Sequence, residues 1–345
     1  MDFGLMFSFV VPPGGPLSDQ ESYAEMKELL PLAEELGFDA FHTTEHHFQF
    51  NGWCPSPLLV LAAAASLTER MRLVSNILVV PLHDPLRLAE DTATLDNISN
   101  GRLTLGVSPG YVSEEFTAYR IPREERFGRF EETLDILTAA WTQESFSYEG
   151  RYFAIPETKL VPRPIQQPIP LWYGVSGPKL LERAARRGCP VTASPRHTVT
   201  ELRDHYARFD ATCASVGREI SERPVIREVF IAPTTEEAER IAGPAATHLF
   251  QLYGKKSAAG ERDLRNDAGE LVTDIDQLDF RTFKSRYVIA DPETAIAEIK
   301  QLQEDLRPTE LICRMQLPGI ETKDLRRSIE LFAREVMPAF APARA

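Results

Sequence analysis

Residues 72–108, RLVSNILVVPLHDPLRLAEDTATLDNISNGRLTLGVS, contain a strand, a helix and a second strand in immediate succession. Residues 72–80 form an apolar run of the length a buried strand needs. Asp84-Pro85 then opens a helix, an acceptor side chain followed by a proline whose missing N–H belongs to the group that no helix can satisfy internally. Asn100-Gly101 stops it, and residues 103–108 return as a strand. Two apolar strands joined by a helical crossover pair in parallel.

The same unit repeats in both directions. Upstream, residues 3–10 read as a strand, and residues 20–36 as a helix with Tyr23, Met26, Leu30 and Ala33 on one face. Pro31 is expected to kink that helix and Gly37 to close it. Residues 38–43 are a strand and 58–67 a helix. Downstream, a polar loop at 109–128 leads to a helix striped by Phe130, Leu134, Leu137 and Trp141. Residues 146–168 read as irregular, crowded by Pro162, Pro164 and Pro168. Strands follow at 169–173, 190–193, 225–231 and 310–315, with helices at 178–187, 199–216, 236–252, from Asp291-Pro292, and along Leu325, Ile329, Phe332 and Val336. Residues 253–285 break the rhythm. Eight βα units predict a (β/α)8 TIM barrel spanning 1–345 as one domain, with its chemistry at the C-terminal ends of the strands.

Composition narrows the function. Asp plus Glu number 51 against 38 Lys plus Arg, a net charge of −13 that repels phosphate backbones and argues against general nucleic-acid binding. No apolar run reaches 18 residues, and the acidic Met1-Asp2-Phe3-Gly4 start lacks the positive charge of a signal peptide. Cys54, Cys189, Cys213 and Cys313 are scattered without a CxxC. A cytoplasmic location is expected.

Four stretches carry candidate chemistry. His42-Thr43-Thr44-Glu45-His46-His47-Phe48 lies just past the second strand, where a histidine serves either as a general base or as a strand-end hydrogen bonder. His42, Glu45 and His46 also match the H-x-x-E-H zinc hydrolase pattern, which works only on a helix. Tyr173-Gly174-Val175-Ser176-Gly177-Pro178-Lys179 is a strand end, a glycine turn and a helix start, either a phosphate seat or an ordinary turn. Asn76 in the third strand points into a pocket or a satisfied core bond, and Gly106-Val107-Ser108-Pro109-Gly110-Tyr111 approaches a planar ligand or simply turns. No G-x-G-x-x-G follows a strand, so a dinucleotide fold is not indicated.

The chain resembles the bacterial luciferase-like, flavin-dependent monooxygenases. The resemblance runs through Phe38-Asp39, Glu45-His46-His47-Phe48, residues 84–91 and 95–102, Gly106-Val107-Ser108-Pro109-Gly110-Tyr111, the Pro-rich 161–170 stretch and Val336-Met337-Pro338. It implies a barrel that binds FMN, supplied reduced by a separate flavin reductase, and that adds O2 to form a peroxyflavin which oxygenates a small organic substrate. Some relatives use the deazaflavin F420 for hydride transfer instead. The resemblance makes His46 the catalytic proton carrier. It places Glu45, Asn76, Ile77, Ser108, Val175, Ser176, Gly177 and Lys179 on the cofactor, with a cis peptide expected at Asn76-Ile77. His47, Phe48, Phe50, Trp53 and Tyr111 would wall a pocket for an apolar or aromatic substrate. Two departures stand out. Pro109 replaces the phosphate-holding arginine of the luciferase α subunit, leaving Lys179 or Arg196 to substitute, and the phosphate loop is Val-Ser-Gly rather than Glu-Ser. The resemblance also implies a homodimer built on early barrel helices. Residues 253–285 match a mobile insertion, either a lid over the mouth or a solvated excursion.

Overall fold

Alternating apolar runs and amphipathic stretches produce a parallel sheet wrapped by helices. The computed structural model describes residues 1–48, 52–258, 264–275 and 278–341. Chain order begins β1 (Asp2–Phe7), α1 (Asp19–Glu35), β2 (Ala40–Thr43), α2 (Pro57–Leu67), β3 (Arg72–Val79), α3 (Pro85–Ile98), β4 (Leu103–Ser108), α4 (Ser113–Ala118) and α5 (Arg126–Thr142). A hairpin, β5 (Phe146–Glu149) with β6 (Ala154–Thr158), precedes β7 (Leu171–Gly174), α6 (Pro178–Arg187), β8 (Val191–Thr192) and α7 (Val199–Ser215). The chain continues through β9 (Pro224–Ile231), α8 (Thr235–Ala258), β10 (Tyr287–Ala290), α9 (Pro292–Leu306), β11 (Glu310–Arg314) and α10 (Thr322–Leu331).

All eight expected strands form, and a ninth, β10, joins them. The sheet order is β10-β9-β11-β1-β2-β3-β4-β7-β8, with every ladder parallel. The ladders therefore run round a curled sheet and do not close into the expected eight-stranded ring. The reason is local. β8 has only two residues and pairs with β7 alone. β9 gives Pro224–Glu228 to β11 and Glu228–Ile231 to β10. Curling still creates an inside and an outside. Met6, Ala40, Val74, Trp172, Ile226 and Ile312 form a separate apolar cluster within the curl. A much larger cluster, including Leu29, Leu61, Phe130 and Ile299, lies between sheet and helices. Each such side chain, fully buried, contributes on the order of 1.5–3 kcal/mol.

Local chemistry holds the helix ends. Asp84 accepts from the N–H groups of Leu86 and Arg87, both at 3.0 Å, as its place before Pro85 predicts. Asn100 and Gly101 adopt φ of 57° and 75° and turn the chain out of α3. Arg102 then donates to the carbonyls of Ala65, Thr68 and Met71, satisfying the orphaned end of α2. α1 runs through Pro31 as one helix. Two expectations are corrected. The 146–168 stretch contains the antiparallel β5–β6 hairpin. The 109–128 loop contains α4, which bears on the site below.

Candidate functional site

A cavity opens at the C-terminal ends of the strands. Its floor includes Met6, Asn76, Ile226 and Arg314, and its walls rise through His46, Ser108 and the 174–176 and 192–197 turns. On one side, the backbone N–H of His46 donates to the Cys54 carbonyl at 3.0 Å. The His46 ring stands edge-on to Trp53, centroids 4.8 Å apart, and to Tyr111 at 6.3 Å. Its Nδ1 is 3.5 Å from Glu115 Oε1 on α4. Glu115 is fully buried and also accepts from the His47 N–H at 3.0 Å. A buried carboxyl group at that nitrogen orients the ring. His46, Trp53 and Tyr111 thus meet as expected. Glu115 escaped the sequence reading because 69 positions of chain separate it from His46.

Glu45 is buried, and three donors surround it: His83 Nε2 at 2.8 Å, His47 Nε2 at 2.9 Å and the Val79 N–H. Burial pushes its carboxyl up, but the bonds from His47 and His83, the His83 charge and the Val79 amide outweigh this and hold it at about 2. Both its oxygens are consumed by protein, so Glu45 is a strut between β2 and β3 although it reaches the cavity wall. His47 leans away from the main cavity. Its Nδ1 meets the Tyr119 hydroxyl at 3.1 Å, and it borders a second recess with Leu58 and Leu95. Phe48 is 68% exposed and borders a third recess with Trp53 and Tyr23. Neither residue lines the main cavity, and Phe50 lies outside the described residues. The H-x-x-E-H match is dispersed: His42 pairs with Glu310 at 2.9 Å, Glu45 with His47 and His83, and His46 with Glu115. Among the described residues no group of three His, Cys, Asp or Glu side chains could hold a metal.

On the floor, the Asn76–Ile77 peptide is cis. The Ile77 side chain fills the space above Gly174, where a Cβ would meet it at 2.6 Å. Ser108 lines the wall and accepts from the Gly110 N–H at 3.2 Å. Val175 and Ser176 also line the cavity, and Gly177 caps the N-terminus of α6. A Cβ at Gly177 would meet nothing within 4 Å, so open space fronts the helix start. Lys179 is exposed and does not line the cavity, whereas Arg196 does, beside Ser194 and His197. Arg286, fully buried, donates to the Arg196 carbonyl at 2.5 Å, to the Arg265 carbonyl at 2.5 Å and to Asp267 at 2.6 Å. The described part of the expected insertion is thereby tied to the Arg196 turn.

These residues fit a flavin mononucleotide in chemical kind. Helix-terminal amides, the Ser176 hydroxyl and the Arg196 guanidinium suit a phosphate. Met6, Ile77, Val79 and Ile226 supply apolar surface for a ring. Asn76 Oδ1 and Thr192 Oγ1 are buried on cavity-lining residues without a protein hydrogen bond, as polar atoms awaiting a ligand are.

Comparison with known proteins agrees. The oxygenase component of the flavin-dependent trigonelline monooxygenase of Acinetobacter baylyi is 28% identical, covering 95% of this chain and 94% of that one. The structure of monooxygenase RslO1 from Streptomyces bottropensis is similar with a TM-score of 0.86 at 25% identity, covering 99% of this chain and 100% of the other. The coenzyme F420-dependent tetrahydromethanopterin reductase of Methanopyrus kandleri shares the fold, with a TM-score of 0.73 at 19% identity, covering 98% and 99%. Among the described residues no helix is long and apolar enough to cross a membrane. The family model for luciferase-like monooxygenases matches residues 1–307, and the chain belongs to that family.

Proposed function

We propose that this chain is the oxygenase component of a two-component flavin-dependent monooxygenase, taking reduced FMN from a separate flavin reductase and using O2 to oxygenate a small organic substrate. The observation that carries the reading is that one cavity is lined both by a histidine backed by a buried carboxyl group and by the Val175-Ser176 turn with Arg196. The Acinetobacter baylyi relative, known as an oxygenase component, supports the division of labour with a reductase. Bound reduced flavin would supply the activation of O2.

The protein's own residues have separable tasks. Val175, Ser176, Gly177 and Arg196 hold the phosphate. Asn76, Ile77 and Ser108 hold the ring. His46, oriented by Glu115, keeps or moves a proton at its imidazole. Trp53 and Tyr111 exclude water and shape an apolar substrate space. Glu45 and His47 position the loop that presents His46. The protein acts as a cytoplasmic homodimer, and the exposed Leu59 on α2 and Ile98 on α3 suit burial against a second copy.

The test is a titration of the purified protein with FMN and with F420, followed by exposure of the reduced-FMN complex to O2 with candidate aromatic and aliphatic substrates. Quenching of FMN fluorescence and substrate-dependent O2 uptake are expected. Binding of F420 alone, or of neither cofactor, refutes the reading.

A further inference from the structure

From Asn76 on the cavity floor a polar chain runs to His42, Glu310 and Arg72, none of which the proposed chemistry uses. Strand alternation turns His42 of β2, Asn76 of β3 and Glu310 of β11 into the interior of the curl. All three are buried. His42 Nε2 is 2.9 Å from Glu310 Oε1, and the Asn76 amide nitrogen is 3.4 Å from His42 Nδ1. Arg72 donates to the second Glu310 oxygen at 2.9 Å and stands 3.6 Å from Asp2 at the opposite end of the sheet. The Trp172 ring stacks on His42 with centroids 6.1 Å apart. Gly4 on β1 makes room for the pair. A Cβ there would lie 2.6 Å from both Glu310 Oε1 and His42 Nε2.

The hydrogen-bond arithmetic of this chain starts at Glu310. Burial pushes the Glu310 carboxyl up, but His42 and Arg72 outweigh it and keep it below the usual carboxylate range. An ionised carboxylate only accepts, so His42 Nε2 carries the hydrogen. The Asn76 NH2, which can only donate, stands 3.4 Å from the other nitrogen of the imidazole. Its Nδ1 is then a lone pair that can only accept. Of the two ends of the Asn76 amide, only the NH2 can satisfy it. The carbonyl end, Oδ1, is left buried without a protein partner on a residue that lines the cavity.

We propose that His42 and Glu310 are positioning residues that lock the Asn76 amide with Oδ1 presented to the cavity, so that the floor accepts a hydrogen bond from an N–H of the bound ring. The cavity ligand side of this statement rests on the flavin reading above; the His42 tautomer does not.

Two measurements test it. In protein labelled with 15N-histidine, the His42 ring should show a protonated Nε2 and an unprotonated Nδ1 at neutral pH, its resonances assigned by their loss in His42→Asn. An imidazolium, or the Nδ1–H tautomer, overturns the proposal whether or not flavin binds. The second measurement is FMN affinity by fluorescence quenching. His42→Asn keeps an acceptor where Nδ1 stood, and His42→Phe keeps the ring's bulk without one. Loss of one hydrogen bond predicts about tenfold weaker FMN binding in His42→Phe and a change of about threefold or less in His42→Asn. The reverse order is what a packing role gives, and it overturns the proposal. Failure of wild type to bind FMN would instead sink the flavin reading, leaving the tautomer measurement to decide the rest.

Discussion

Gly177→Asp separates the anion seat from every other part of the site. Gly177 has φ −78° and ψ 145°, which any residue adopts, and an added Cβ meets nothing within 4 Å. Asp is also a better N-cap than Gly by a few tenths of a kcal/mol, so the fold should be unharmed. The new carboxylate would accept from the same first-turn amides that a phosphate would use, and would add a like charge beside it. Two unit charges about 5 Å apart repel by roughly 3 kcal/mol at an effective dielectric of 20 and by about 0.8 kcal/mol in bulk water. Gly177 is half-buried, and a phosphate carries about −1.5 to −2 charges. A cost of about 2–3 kcal/mol follows, equivalent to a roughly 30- to 150-fold loss. Riboflavin has the same ring without phosphate and should lose less than about threefold. The assay is quenching of flavin fluorescence with both ligands, with thermal melting as the control on folding. Equal losses for FMN and riboflavin, or none for either, would place the phosphate elsewhere and refute the argument.

Other perturbations address the remaining walls. His46→Ala should abolish substrate oxygenation while FMN affinity stays within about threefold, because the ring faces the cavity through Trp53 and Tyr111 and not through the phosphate seat; unchanged turnover assigns the proton carrier elsewhere. Arg196→Ala should weaken FMN about tenfold and Lys179→Ala should leave it unchanged, since only Arg196 lines the cavity; the opposite pattern in the same titration reverses the assignment. Glu45 has a folded-state value of about 2 against an ordinary 4.5, so its stabilisation is complete above the unfolded value and is lost as pH falls from about 4.5 to 2. Glu45→Gln should therefore remove up to about 3 kcal/mol near neutrality and flatten the acid limb of urea-melt stability over that window, and parallel acid limbs in the two proteins would show that the carboxylate is not held this way.

The chemistry of these predictions divides according to what a one-dimensional pattern can carry. The strands and their crossover helices were legible because each buries a face, and burial imposes a period on the residues. The Asn76–Ile77 cis bond and the placing of His46, Ser108, Val175 and Ser176 on the cavity followed from motif resemblance, because strand ends fix where those residues emerge. Beyond the strand ends the period lapses. Nothing in Glu45-His46-His47-Phe48 says which side chain turns inward. In the fold the four residues part company, His46 to the cavity, Glu45 to His83 and Val79, His47 to Tyr119, and Phe48 to the surface. β10 was missed because four residues following a polar excursion give too short a signal, and it is an apolar strand only in the presence of the upper half of β9. Glu115 and Glu310 were invisible for a different reason. Each acts by closing on a histidine 69 or 268 positions away, and such a pairing exists only once the curled sheet has set both ends in place. Partners of that kind decide the aim of the reactive groups. A sequence of this family can therefore announce its cavity while leaving unstated which tautomer, and which end of an amide, its floor presents.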